Sequence, residues 1–171
     1  MLLSKEMAIG FIGLGVMGRP IAANLIKAGY KLIVYDQFVK LNDLVSLGAE
    51  RAVSSKEAAS GSEIVIIVLP NSTQVREAIL GVGGIVEGLR PGTVVADMSS
   101  ISQDLASEVS EVLSKKKSSF LKLRVSGGKA EALNGTLSIT AEGDKKAFDK
   151  IKPVLQGIAS IVEITFPHKN G

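Results

Sequence analysis

Six residues, Gly13-Leu14-Gly15-Val16-Met17-Gly18, stand between an apolar run, Met7 to Ile12, and a helical pattern that starts at Met17. In a strand–turn–helix setting, each glycine of a G-x-G-x-x-G has its own use. Gly13 permits a tight turn. At Gly15 the missing side chain lets a pyrophosphate approach the backbone, and Gly18 lets the helix pack close to the strand. The unpaired N–H groups of the first helical turn, next to Leu14, Val16 and Met17, then face the phosphates. Asp36 ends the next apolar run, 21 residues after Gly15. A carboxylate there can accept hydrogen bonds from both hydroxyls of an adenosine ribose and would repel a 2′-phosphate. Gln37 follows it, so no guanidinium is placed to receive such a phosphate. The pair Asp36–Gln37 therefore points to NAD, with NADP the less favoured cofactor. The plainer reading of Asp36 is a strand-end cap.

These residues need a sheet to position them. Short apolar runs alternate with helical patterns, which predicts an α/β fold with a Rossmann-type, doubly wound, mainly parallel sheet. Strands are expected over Met7–Ile12, Lys31–Tyr35, Ile64–Leu69, Thr93–Ala96, Phe120–Val125, Leu137–Ala141 and Ile158–Thr165. Helices are expected over Met17–Ala28, closed by Gly29, and over Leu41–Leu47, Ser55–Ala59, Ser72–Leu80 and Asp144–Gln156, the last kinked or shortened by Pro153. Another opens at a capping box, Ser100 to Gln103, and runs to Lys115. Gly81 to Gly92 reads as a break with a brief turn, and Gly127-Gly128 as a second break.

Composition agrees. The chain has 171 residues, 46% hydrophobic and 4% aromatic, the size of one dinucleotide-binding domain spanning 1–171. Its apolar mass is mostly Ile, Val, Leu and Ala, which suits strands buried on both faces. With no Cys and a single His168, disulfides and Cys- or His-cluster metal sites are excluded. No signal peptide and no run near the ~18 apolar residues of a spanning helix is seen, so a cytoplasmic protein without membrane contact is expected. The net charge is +3, and much of the excess lies in Lys115, Lys116, Lys117, Lys122, Arg124 and Lys129. That cluster is read as a solvated helix end. Without interleaved aromatics, nucleic acid is not an expected partner.

Four motifs in order, Gly10-Phe11-Ile12-Gly13-Leu14-Gly15-Val16-Met17-Gly18, Leu69-Pro70-Asn71-Ser72, Asp97-Met98-Ser99-Ser100 and Val125-Ser126-Gly127-Gly128, resemble the β-hydroxyacid dehydrogenases. Within that family the chain is similar to the 3-hydroxyisobutyrate dehydrogenase and tartronate semialdehyde (2-hydroxy-3-oxopropionate) reductase type, from Met7 to about Ala159. The resemblance implies that Leu69, Pro70 and Gln74 border the cofactor's ribose and that Ser100 lies near the nicotinamide ribose. It implies that Ser126, Gly127 and Gly128 hold the carboxylate of a small 3-hydroxy acid. The implied reaction is hydride transfer between that acid and NAD.

Such a reaction needs a base for the hydroxyl proton. In the family this is a Lys on a helix leading into an all-helical domain. By alignment of the motifs it falls just past Gly171, so no catalytic residue is expected in this chain and the helical domain is missing from it. Lys169 and His168 sit in Pro167-His168-Lys169-Asn170-Gly171, which does not match the family's Gly-rich turn, and both read as tail residues. Two further departures are noted: Lys122-Leu123-Arg124 stands where the family has Asp-Ala-Pro, and the pattern is lost from about Ile161. Two readings result. One is the cofactor domain of a 3-hydroxyacid dehydrogenase, inactive on its own; the other is a non-catalytic dinucleotide-binding module or sensor. A homo-oligomer is expected, because the face that meets the helical domain in the family would be apolar and exposed.

Overall fold

The computed structural model describes residues 7–165; His168 and Lys169 lie outside them. In chain order the elements are β1 (Ala8–Ile12), α1 (Gly18–Lys27), β2 (Lys31–Tyr35), α2 (Asn42–Ser46), β3 (Glu50–Arg51), α3 (Ser55–Ser60), β4 (Ile64–Ile67), α4 (Ser72–Leu80), α5 (Ile85–Gly88) and β5 (Val94–Asp97). They continue as α6 (Gln103–Lys115), β6 (Ser119–Ser126), α7 (Lys129–Asn134), β7 (Leu137–Glu142), α8 (Lys145–Gln156) and β8 (Ala159–Thr165). All eight strands join one sheet in the order β3-β2-β1-β4-β5-β6-β7-β8. Every pairing is parallel except β6 with β7. Strands β1 to β3 run outward on one side of β1 and β4 begins the other side, so the order reverses between β1 and β4. A crevice opens at such a reversal, beyond the C-terminal strand ends.

The hydrophobic pattern explains why helices cover both faces. Ile64, Val65, Ile66 and Ile67 of β4 are all buried, and alternate residues enter different cores. Ile64 and Ile66 pack with Ile21 of α1, Leu44 of α2 and Ile151 of α8. Val65 and Ile67 pack with Ala58 of α3, Val75 of α4, Ile85 of α5 and Val109 of α6. Each of these large apolar side chains contributes about 1.5–3 kcal/mol by leaving water. A period-2 strand that is apolar at every position can satisfy both sides only in this layered arrangement.

Several local expectations are corrected. The chain leaves the β4 ladder after Ile67, and Val68 and Leu69 turn into the crevice. The cap of α6 is Ser102, whose hydroxyl accepts from Leu105 N–H at 3.2 Å, not Ser100. Helix α8 runs through Pro153 to Gln156 and is capped by Asp144, which accepts from Ala147 N–H at 3.0 Å. The two-residue β3, the four-residue α5 and the six-residue α7 were not expected as elements; all are too short to show a period. The basic cluster also divides. Lys115 ends α6, Lys116 is its C-cap and Lys117 follows in the turn, as a helix-end reading requires, but Lys122 and Arg124 lie on β6 and Lys129 opens α7. Among the described residues, no helix is long and apolar enough to cross a membrane.

Candidate functional site

Three glycines form the floor of the crevice, and each meets a different environment. Gly13 has a φ of +94°, and a Cβ there would lie 2.0 Å from the carbonyl oxygen of Val68. A Cβ on Gly18 would lie 2.0 Å from the carbonyl oxygen of Gly13. Both positions are closed to any side chain. A Cβ on Gly15 would meet nothing within 4 Å. The fold itself therefore does not need glycine at 15. What remains open above it is room for a ligand to reach the backbone. The N–H groups of Gly15, Val16 and Met17 have no acceptor among the described residues, and α1 starts with no side-chain cap. An uncapped helix start with free donors favours an anion.

Asp36 joins this loop to the end of β2. Its Oδ2 accepts from Leu14 N–H at 2.7 Å, and its Oδ1 accepts from Phe38 N–H at 2.8 Å and Val39 N–H at 3.1 Å. A carboxylate has about four acceptor positions. Three are used, so one remains on Oδ2, which narrows the expected pair of ribose hydroxyls to one direct hydrogen bond. Leu14 is wholly buried and contributes through its N–H alone. Arg19, in the first turn of α1, is held by an ion pair with Asp43 and donates to the Lys40 carbonyl at 2.7 Å. It is thereby tied to α2 rather than free to meet a phosphate.

The crevice has a volume of about 600 Å³. It gathers Gly13, Gly15, Val16, Met17, Gly18, Asp36, Gln37, Leu69, Pro70 and Gln74, all expected from the sequence. It also takes in Phe38, Ser54, Ser55, Glu77, Val82 and Gly83, which sequence reasoning missed. Phe38 and Val82 are conspicuous as exposed apolar side chains, 74% and 104% accessible, in its lining. No sequence signal marks them, because their neighbourhood is made by the sheet order. Gln74 owes its place to Asn71, whose side chain caps α4 by accepting from Gln74 N–H at 2.9 Å.

Ser100, Ser126, Gly127 and Gly128 are not in this crevice. Ser100 instead lines a smaller pocket of about 210 Å³ with Ser99, Lys122, Arg124 and Thr140. Ser126 is exposed at the end of β6. Gly127 has a φ of +124° and starts the turn into α7. The Gly128 N–H donates to Glu131 Oε2 at 3.0 Å, so it is engaged within the loop. The two cavities are linked by a residue the sequence reading gave no role. Ser99 Oγ accepts from Leu69 N–H at 2.8 Å, while its own N–H donates to Asp97 Oδ1 at 3.0 Å. Asp97 is fully buried, and its Oδ2 has no hydrogen-bond partner among the described residues. Burial pushes its pKa up to about 6, against the opposing hydrogen bonds from Ser99 and the charge of Lys122. Its position at a buried strand end was the available signal. Among the described residues, no group of carboxylates and histidines is arranged to hold a metal.

The sequence and fold as a whole are matched in known proteins. The family model for the NAD binding domain of 6-phosphogluconate dehydrogenase matches residues 8–166, past Ile161 and through all of β8. The 2-(hydroxymethyl)glutarate dehydrogenase of Eubacterium barkeri is 36% identical over 157 residues, which cover 91% of this chain and 52% of that protein. The 2-hydroxy-3-oxopropionate reductase of Escherichia coli is 36% identical over 150 residues, 88% of this chain and 51% of that protein. The solved structure of Mycobacterium tuberculosis 3-hydroxyisobutyrate dehydrogenase with L-serine superposes with a TM-score of 0.86 at 30% identity, covering 94% of this chain and 55% of that one. The chain thus spans about half the length of the relatives it matches. The chain belongs to the family of the NAD binding domain of 6-phosphogluconate dehydrogenase and is similar to the N-terminal, dinucleotide-binding half of hydroxyacid dehydrogenases.

Proposed function

We propose that this chain binds NAD in the β1–α1 crevice, as the cofactor domain of an oxidoreductase that transfers hydride between NAD and a small 3-hydroxy acid. The observation that carries the proposal is the contrast among the glycines: Gly13 and Gly18 are required by the fold, whereas a Cβ on Gly15 would meet nothing within 4 Å, which leaves room for a pyrophosphate beside free N–H groups. The residues fit the cofactor. The free N–H groups at Gly15, Val16 and Met17 suit its pyrophosphate, and the remaining acceptor position on Asp36 Oδ2 suits one adenosine ribose hydroxyl. Gln37 and Phe38, beside Asp36, offer no cation to a 2′-phosphate, which supports NAD over NADP. Leu69, Pro70 and Gln74 would border the ribose nearer the nicotinamide. Ser100 would lie near the nicotinamide ribose, and the loop of Ser126, Gly127 and Gly128 would hold the substrate carboxylate. When bound, the nicotinamide supplies the hydride acceptor or donor; the chain's own residues bind and orient it.

A second reading, a non-catalytic dinucleotide-binding module, is favoured by one observation. Among the described residues, the crevice walls carry no Lys or His to take the hydroxyl proton. Fluorescence titration with NADH and NADPH, followed by assays of 3-hydroxyisobutyrate oxidation and 2-hydroxy-3-oxopropionate reduction, separates the readings. Saturable NADH binding without turnover is expected of this chain alone. Turnover by the chain would overturn the claim that it lacks its base, and absence of NADH binding would overturn both readings.

A further inference from the structure

We propose that Ser99, held by Asp97, is a positioning residue for the nicotinamide half of the cofactor, because it fixes the Leu69–Pro70 turn that borders this half. The inference rests on the NAD reading above and adds to it two residues that do not themselves line the crevice. Asp36 ends β2, Gly15 follows β1 and Leu69 follows β4, and these three strands are neighbours in the sheet. The places given to the adenosine ribose, the pyrophosphate and the second ribose therefore stand in sheet order. Whatever holds Leu69 acts on the far half alone.

The hold on Leu69 comes from one hydroxyl. Val68 N–H donates to the Ile12 carbonyl at 2.9 Å, and the Ile67 carbonyl accepts from Met98 N–H at 2.9 Å. Leu69 N–H, the next donor along, has no backbone acceptor among the described residues and donates to Ser99 Oγ at 2.8 Å. A side-chain oxygen thus carries the β4–β5 pairing one step past the strands. Ser99 is 6% exposed, and its own N–H donates to Oδ1 of the wholly buried Asp97 at 3.0 Å, which fixes the turn that aims the hydroxyl. Leu69 precedes Pro70 and is confined to extended backbone, so anchoring its N–H leaves it little freedom. Its side chain lies against the glycine loop: a Cβ on Gly13 would stand 3.0 Å from Leu69 Cδ2. Ser99 therefore sets the position of a crevice wall from behind.

A serine after a strand commonly caps the next helix. Ser99 does not, since the cap of α6 is Ser102. A second bond joins the same two turns, from Ser102 N–H to Ser72 Oγ at 3.2 Å. Neither Ser72 nor Ser102 lines the crevice. Loss of the Ser72 bond loosens the same pair of turns without freeing Leu69, so it shows what a purely structural role would do.

The test titrates the full chain and its Ser99→Ala, Ser99→Thr and Ser72→Ala variants with NADH and with ADP by calorimetry. ADP keeps the adenosine and the two phosphates but lacks the second ribose and the nicotinamide. Ser99→Ala should weaken NADH binding roughly three- to tenfold and leave ADP binding within about twofold of the parent. Ser99→Thr, which retains the hydroxyl, should restore NADH affinity, and Ser72→Ala should leave the ratio of the two affinities unchanged. Amide exchange at Leu69 should quicken in Ser99→Ala, and in the parent it should slow with NADH but not with ADP. Urea melts check that each variant folds. Unchanged NADH affinity in Ser99→Ala, equal losses for NADH and ADP, or the same selective loss in Ser72→Ala would overturn the proposal. If Ser99→Ala is too unstable to titrate, exchange in the parent decides, and equal slowing of Leu69 by NADH and ADP would overturn it. A parent chain that fails to bind NADH would refute the cofactor reading and this proposal with it, whereas NADH binding with an unchanged ratio in Ser99→Ala refutes the proposal alone.

Discussion

Replacing Gly15 by alanine should separate what the fold needs from what the ligand needs. A Cβ at 15 has no neighbour within 4 Å, and the backbone there is not left-handed. The substitution should leave stability within about 1 kcal/mol of the parent, on the stabilising side, because the unfolded chain loses conformational freedom. Affinity for NADH should fall. The methyl would occupy the approach to the Gly15, Val16 and Met17 N–H groups. Losing one charge-assisted hydrogen bond costs about 1.5–3 kcal/mol, or roughly ten- to a hundredfold in Kd. Gly18→Ala is the control of opposite sign. Its Cβ would stand 2.0 Å from the Gly13 carbonyl oxygen, so α1 must move off the loop, at about 1–3 kcal/mol or more. Urea denaturation and NADH fluorescence titration on both variants give the two readouts. A Gly15→Ala protein that binds NADH like the parent, or that is destabilised as much as Gly18→Ala, would refute the reasoning.

Three further outcomes are expected. Asp97 keeps its proton in the folded chain up to about pH 6 and in the unfolded chain only to about 3.8, so its contribution to stability is fully present below pH 4 and is lost as pH rises through 6. Between pH 4 and pH 7 the stability of Asp97→Asn should therefore gain on the parent by about 2 kcal/mol in paired urea melts, and parallel curves would contradict this. Asp36→Ala removes the acceptor for the N–H groups of Leu14, Phe38 and Val39 and should cost about 2–4 kcal/mol, whereas Asp36→Asn should keep most of that stability and narrow the preference for NADH over NADPH. Asn24 Nδ2 donates to the carbonyls of Ala132 at 2.9 Å and Leu133 at 3.1 Å, pinning α7 to α1; Asn24→Ala should cost about 1–2 kcal/mol and speed amide exchange in α7.

The sheet and its cradle were legible because they rest on period and on steric demand. The unbroken apolar run at Ile64–Ile67 required two covering layers, and Gly13 and Gly18 follow from close backbone approaches that no other residue tolerates. Asp36 was legible in place but not in use. A sequence cannot show that three backbone N–H groups, two of them only two and three residues away, already share its oxygens. Phe38 and Val82 were illegible because they come to line one crevice only after β2 and β4 flank β1. Lys122-Leu123-Arg124 departs from the family's Asp-Ala-Pro but keeps the period of a strand. In the fold, Leu123 is buried with the core while Lys122 and Arg124 take the other face, so the segment obeys strand alternation. Short α7 was hidden because its start depends on the Glu131 carboxylate reaching back to Gly128 N–H, a local hydrogen bond rather than a hydrophobic period.

Crystals soaked with NAD test the central claim most directly. The account predicts the pyrophosphate over Gly15 at the start of α1, with a ribose hydroxyl within hydrogen-bond distance of Asp36 Oδ2 and the Leu14 N–H bond retained. A cofactor bound away from Gly15, or an Asp36 carboxylate that meets no ribose hydroxyl, would contradict it.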